Sequence, residues 1–183
     1  MAQLVVFDCD GVLVGSETVS SVIYAETLTA FGCAIDADTA AAGAFDLALL
    51  DGLIAAASGK GEGPALDRLV ERGATEAGKT RAKAQSAAVI LAGLGAPLSD
   101  TAFGQLAGFP AVEAKAPAAR LFALDQAGPR PGEVALLALW TAAEAGAAGP
   151  VPGDRARIIR ALKAAGLETD ARAFAVEGLL SQR

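Results

Sequence analysis

From residue 44 onward, the apolar positions of this chain recur at helical spacing, and each recurring stretch is bounded by helix breakers. Pro64, Pro117 and Pro131 stand at starts. Gly59, Gly95, Gly128 and Gly166 stand at ends. Proline is tolerated in the first turn of a helix, where its missing N–H has no partner to lose, and glycine ends helices without a steric penalty. The pattern predicts helices over residues 45–58, from Pro64, from Thr75 to Leu94, and from Ser99 to Leu106. Four more are predicted: from Pro117 to Gly128, from Gly132 to Ala145, from Asp154 to Gly166, and from Thr169 or Asp170 to near the end. Short connections favour antiparallel neighbours. The expected fold is therefore mainly α: an array of short antiparallel helical hairpins, solenoid-like, with at most one short N-terminal strand. Ala87 to Leu91 is the only other strand candidate, and its helical flanks make it helix.

Composition supports a packed helical body. The 183 residues are 53% hydrophobic and only 5% aromatic, and the mean hydropathy is +0.42. Abundant alanine suits tight helix contacts. Leu136, Leu139, Trp140, Ile158, Ile159, Leu162, Phe174 and Leu179 are the expected core of three consecutive helices. No apolar run reaches the ~18 residues of a spanning helix. Met1-Ala2-Gln3 lacks a positive segment, so no signal peptide is expected, and the cytoplasm is the expected location. Cys9 and Cys33 are too few for a disulfide framework. The absence of histidine removes Ser-His and Cys-His catalysis and histidine-ligated zinc. A net charge of −6 argues against a nucleic-acid partner.

The chemistry-bearing stretch is Gln3 to Thr18. Leu4, Val5, Val6 and Phe7 read as a short buried strand. Asp8 and Asp10, two apart in extended backbone, would point to one side. Two carboxylates that close need a cation between them or a proton on one, and hard oxygen ligands suit Mg²⁺. Gly11 allows a sharp turn and Ser16 caps a helix to Phe31.

Phe7-Asp8-Cys9-Asp10-Gly11-Val12-Leu13, followed by Ser16-Glu17, resembles the first motif of the haloacid-dehalogenase-like hydrolases, phosphoglucomutase-like branch. The resemblance covers about residues 1–35, apart from a helical body at 44–183. It implies Asp8 as phosphoryl-accepting nucleophile and Asp10 as general acid/base, both at Mg²⁺. Gly15 stands where that family usually carries Asp. Lys115, before Ala116-Pro117, is the candidate for the family's phosphoryl-neutralising lysine. The family's Ser/Thr after a second strand and its acidic pair after a fourth have no counterpart: Val134 to Trp140 holds no carboxylate, and Glu133 and Glu144 flank the run. Pro131 to Leu180 loosely resembles uncharacterised Ala-rich helical proteins of alphaproteobacteria, which implies no activity.

Bland readings compete with the sharp ones. Asp8 and Asp10 could simply cap a solvated turn, and Lys115 could be a surface lysine. Arg155, Arg157, Arg160 and Lys163 read as a solvated helix face. Gly59 to Gly63 lacks phosphate-loop spacing and reads as a linker. Two functions follow. The first is a non-catalytic helical scaffold or interaction module with a protein partner, carrying an incomplete motif. The alternative is an Mg²⁺-dependent phosphoric-monoester hydrolase working through an aspartyl-phosphate.

Overall fold

The computed structural model describes residues 47–110 and 113–182. Among them are eight α-helices and no strand: α1 (Leu47–Ser58), α2 (Glu62–Thr75), α3 (Gly78–Ala92), α4 (Asp100–Ala107), α5 (Ala118–Ala127), α6 (Pro131–Glu144), α7 (Pro152–Ala164) and α8 (Glu168–Leu180). A single 3-10 turn, Gly146–Ala148, links α6 to α7. The expected strand at 4–7 and the segment 1–35 lie outside the described residues. The mainly helical expectation holds, and Ala87 to Leu91 is helix.

The helix ends follow the expected chemistry. Ser99 caps α4, its hydroxyl accepting from the Ala102 N–H at 3.2 Å. Proline occupies the first turn of α6 and of α7. Gly166 adopts φ +79° after α7. There the Leu167 N–H returns to the Leu162 carbonyl at 2.9 Å and the Gly166 N–H to Lys163 at 3.0 Å, which satisfies carbonyls the helix leaves open. One boundary differs from expectation. Thr75 closes α2 instead of opening α3: its hydroxyl donates back to the Glu71 carbonyl at 2.9 Å, and the next N–H, of Glu76, reaches the Arg72 carbonyl at 2.9 Å before the chain turns extended.

Helices adjacent in sequence pack pairwise: α1 on α2, α2 on α3, α5 on α6, α6 on α7, and α7 on α8. Contacts between helices further apart in sequence add to these pairs: α8 also lies on α1 and α3, α3 also on α1 and α7, α4 on α2, and α5 on α7. The core is aliphatic and rich in alanine. Leu53, Ala56, Leu66, Leu69 and Val70 from α1 and α2 meet Ala87, Ala88, Ile90 and Leu91 from α3, with Ile158, Ile159, Ala175 and Leu179 buried in α7 and α8. Each fully buried Leu or Ile contributes roughly 1.5–3 kcal/mol. The charged first half of α3 stays in solvent.

Arg172 of α8 ties the last described helix to α1 and α2. Its Nη1 donates to the Ala56 carbonyl at the end of α1 (3.1 Å) and to Glu62 at the start of α2 (2.6 Å), while Nη2 meets Glu168 at 2.5 Å. A cation at a helix C-terminus and an acid at an N-terminus both complement the helix dipoles. Burial works against the Arg172 charge, but Glu62 and Glu168 outweigh it and raise the pKa.

Two expectations about faces are corrected. Leu136, Leu139 and Trp140 are not core; they are 71, 68 and 55% exposed. The inner face of α6 is Val134, Ala138 and Thr141. The slimmer residues face α5 and α7, and the bulky ones face out. Phe174 is only half-buried. Arg155 is not on a solvated face but 2% exposed.

Candidate functional site

The described residues form a cleft of about 300 Å³ where the segment before α5, the end of α6 and the start of α7 converge. Its floor is Asp154, which sits three positions into α7 and is 2% exposed. Its Oδ2 accepts the backbone N–H groups of Lys115 at 3.0 Å and Ala116 at 2.9 Å. Its Oδ1 is buried and has no hydrogen-bond partner. The two N–H bonds fix the 115–116 backbone against α7, so Asp154 serves a segment remote in sequence as well as its own helix dipole.

Arg120 from α5 closes one wall. Its side chain is nine-tenths buried. Nη1 and Nη2 bind the two carboxylate oxygens of Glu144, at 2.8 and 3.0 Å. This end-on fork fixes the guanidinium plane. That plane lies over the Trp140 ring, 4.1 Å from its centroid, and the indole N–H donates to Glu144 Oε1 at 2.5 Å. The Arg120 and Trp140 hydrogen bonds hold the Glu144 carboxyl below the usual carboxylate range. The Arg120 Nε is buried and has no partner. Arg120 and Asp154 both line the cleft, and each keeps one polar atom that is closed to solvent and without a hydrogen-bond partner.

Of the residues singled out from sequence, Asp8 and Asp10 lie outside the described residues. Lys115 is exposed at the cleft rim, and it is its backbone, not its side chain, that Asp154 holds. Glu144 pairs with Arg120 while staying half exposed, and Glu133 pairs with Arg130 at 2.7 Å. Among the described residues no three His, Cys, Asp or Glu side chains gather where they could hold a metal ion, and no helix is long and apolar enough to cross a membrane.

Sequence reasoning missed Asp154 and Arg120. An acid in the first turn of a helix is ordinary dipole complement, and an arginine between Ala119 and Leu121 looks like solvated surface. The one available signal was that Asp154 and Arg155 stand together where the apolar face of α7 begins. Comparison with known proteins finds no matching family model, no matching curated protein and no matching solved structure.

Proposed function

We propose that the chain is a non-catalytic helical interaction module that docks a protein partner through the outer face of α6 and works in the cytoplasm. The observation that carries this reading is Trp140. It is 55% exposed yet pinned by the Arg120 guanidinium on its ring and by Glu144 on its N–H. Leu136 and Leu139 flank it on the same face, at spacings of four and one. Exposed apolar side chains scattered singly are normal, but three on one helical stripe mark an interaction surface. A tryptophan already held in place loses little freedom on binding, and such residues dominate interface energetics. The partner would present an apolar helix or groove. The acidic balance of the chain disfavours a polyanionic one.

A photo-crosslinking residue at position 139, compared with one at the solvated position 80 of α3, tests this reading in cells. The expected result is one dominant adduct with a different protein from 139 and none from 80. Adducts spread alike from both positions, or adducts only with a second copy of the chain, would overturn it.

The alternative function rests on residues 7–13 and on Ser16-Glu17 alone. In it Asp8 would take the phosphoryl group, Asp10 would act as acid/base, Mg²⁺ would sit at both, and Lys115 would neutralise the transferring group.

A further inference from the structure

We infer that the partner docked by the outer face of α6 is a basic amphipathic helix, its apolar stripe flanked at both ends by a lysine or arginine. The inference rests on the docking reading above and adds the chemistry of the partner. α6 carries two acids, Glu133 and Glu144, and no base. At 3.6 residues per turn, Glu133, Leu136, Trp140 and Glu144 follow one another along a single face, with Leu139 beside them. Both carboxyl side chains are half exposed. The stripe therefore reads carboxylate, apolar, apolar, carboxylate, and it spans about 16 Å of helix.

The cations that pair with these acids do not cover them. Arg120 reaches Glu144 from within the fold, being nine-tenths buried, so the outward member of that pair is the carboxylate. Arg130 is exposed, but its Nε and Nη2 donate to the Ala127 and Gln126 carbonyls at the end of α5, and only Nη1 reaches Glu133. An ionised carboxylate offers about four acceptor positions. Glu133 uses one on Arg130, and Glu144 uses three on Arg120 and Trp140. Each keeps room for a donor from outside. An acid in the last turn also opposes the helix dipole, so Glu144 gains nothing from α6 itself; it holds Trp140 and shows its charge to solvent. A cationic side chain over each end gains a charge-assisted hydrogen bond, whereas a like-charged partner is repelled. A helix suits the face because the described body packs helix on helix throughout. Its long basic side chains lay their methylenes over Leu136 and Trp140 before the charge reaches the acids.

Two synthetic helical peptides of about five turns test the inference with the full chain. They share a leucine stripe with glutamine elsewhere, and differ only in carrying lysine or glutamate at both ends of the stripe. Neither contains tryptophan, so emission from Trp140, the single tryptophan of the chain, reports on this face. The expected result is a saturable blue shift with the lysine peptide, and binding of the glutamate peptide at least about tenfold weaker. The preference should shrink in roughly 1 M salt, where charges are screened beyond about 3 Å. Glu133→Gln changes an exposed side chain outside the Trp140 cluster and should reduce the preference severalfold. Residues 1–46 carry seven acids and no base, and this variant leaves them all in place. A preference undiminished by Glu133→Gln would therefore place the attraction elsewhere and overturn the inference. So would equal binding of the two peptides, or a lysine peptide without effect on Trp140. Each of these failures leaves the docking reading itself to cross-linking from position 139, which does not depend on the partner's charge.

Discussion

The Arg155 guanidinium lies 4.4 Å from the centroid of the Phe174 ring, and its Nη1 donates to the Phe174 carbonyl at 3.1 Å. Glu177 meets Nη2 at 3.5 Å from the solvent side. Burial drives the Arg155 pKa below its ordinary value, partly offset by Glu177, yet a guanidinium stays charged at neutral pH. Arg155 thus fills the place that an apolar side chain would ordinarily take between α7 and α8, and Phe174 forms its lid.

The first prediction follows from that packing. Gly178 makes room for Arg155: a Cβ there would overlap the Arg155 Cδ and stand 3.3 Å from Ile90 Cδ1. Alanine is the better helix former by about 1 kcal/mol. Overpacking a full core costs about 1–3 kcal/mol, and the overlapped atom is mid-chain in a pinned residue, so the clash wins. Gly178→Ala is expected to destabilise. Arg155→Ala alone should cost about 2–5 kcal/mol, as for other large buried side chains. The double variant should be less destabilised than the sum, since the second change removes the clash. Urea unfolding of the four proteins measures the coupling, and strict additivity would contradict the geometry.

The second prediction sets the outer face of α6 against the buried face of α7. Leu139→Gln should move the urea midpoint by no more than the equivalent of about 0.5 kcal/mol, as surface substitutions do. Ile159→Ala, in the buried face of α7, should cost about 2–5 kcal/mol. A loss at Leu139 as large as that at Ile159 would mean the α6 side chains point inward after all.

These residues also explain what the sequence could and could not reveal. Helix positions were legible because proline and glycine act locally, through φ and a missing N–H. Ile158, Ile159 and Leu162 of α7 and Leu179 of α8 were legible as core because they recur at helical spacing, and all four are buried. In α6 nearly every position from Val134 to Ala143 is apolar, so periodicity does not tell inside from outside. Side-chain size then points the wrong way, because α5 and α7 approach closely enough to admit only Val134, Ala138 and Thr141. The cleft was illegible for a different reason. Asp154, Arg120 and Lys115 are separated by up to 39 positions, and their meeting depends on how three elements converge. Arg155 was misread because a charge at helical spacing beside Arg157 and Arg160 resembles surface.

The third prediction concerns pH. The Glu144 carboxyl lies below its ordinary value in the folded chain because Arg120 and Trp140 bind its ionised form. A depressed folded value means that ionised Glu144 stabilises the cluster above the ordinary carboxylate range. That support is lost as pH falls through the lower, folded value. Trp140 is the single tryptophan, so its fluorescence reports on this cluster alone. Emission should stay constant from about pH 7 to 5 and change only below the ordinary glutamate range near 4.3. In Glu144→Gln the emission at neutral pH should already resemble that acid form, with no transition attributable to this site. A midpoint at or above the ordinary value in the parent chain would show that Glu144 is not held as described.

The last prediction addresses the residues that resemble a phosphohydrolase motif. Catalysis of phosphoryl transfer is positioning plus electrostatic stabilisation of charge spread over the transferring oxygens. The motif at Asp8 and Asp10 would supply a nucleophile, an acid/base and part of an Mg²⁺ shell. It would need a lysine with a free ammonium and a further acidic pair. Lys115 has its backbone fastened to Asp154. Its side chain stands at the rim of a cleft that already holds Asp154, Arg120 and Glu144. Loss of one preorganised contact costs about 10²–10³ in rate, although such losses need not multiply. With a generic phosphomonoester, the purified chain is expected to give a rate close to background with Mg²⁺, and Asp8→Asn should leave that rate unchanged. Turnover that requires Mg²⁺, disappears in Asp8→Asn and falls in Lys115→Ala would reverse the ranking of the two functions. If turnover disappears in Asp8→Asn but not in Lys115→Ala, the motif is active with a different cation at the phosphoryl group. Arg155 would not be the first choice for that cation, because its guanidinium is committed to Phe174 and Glu177.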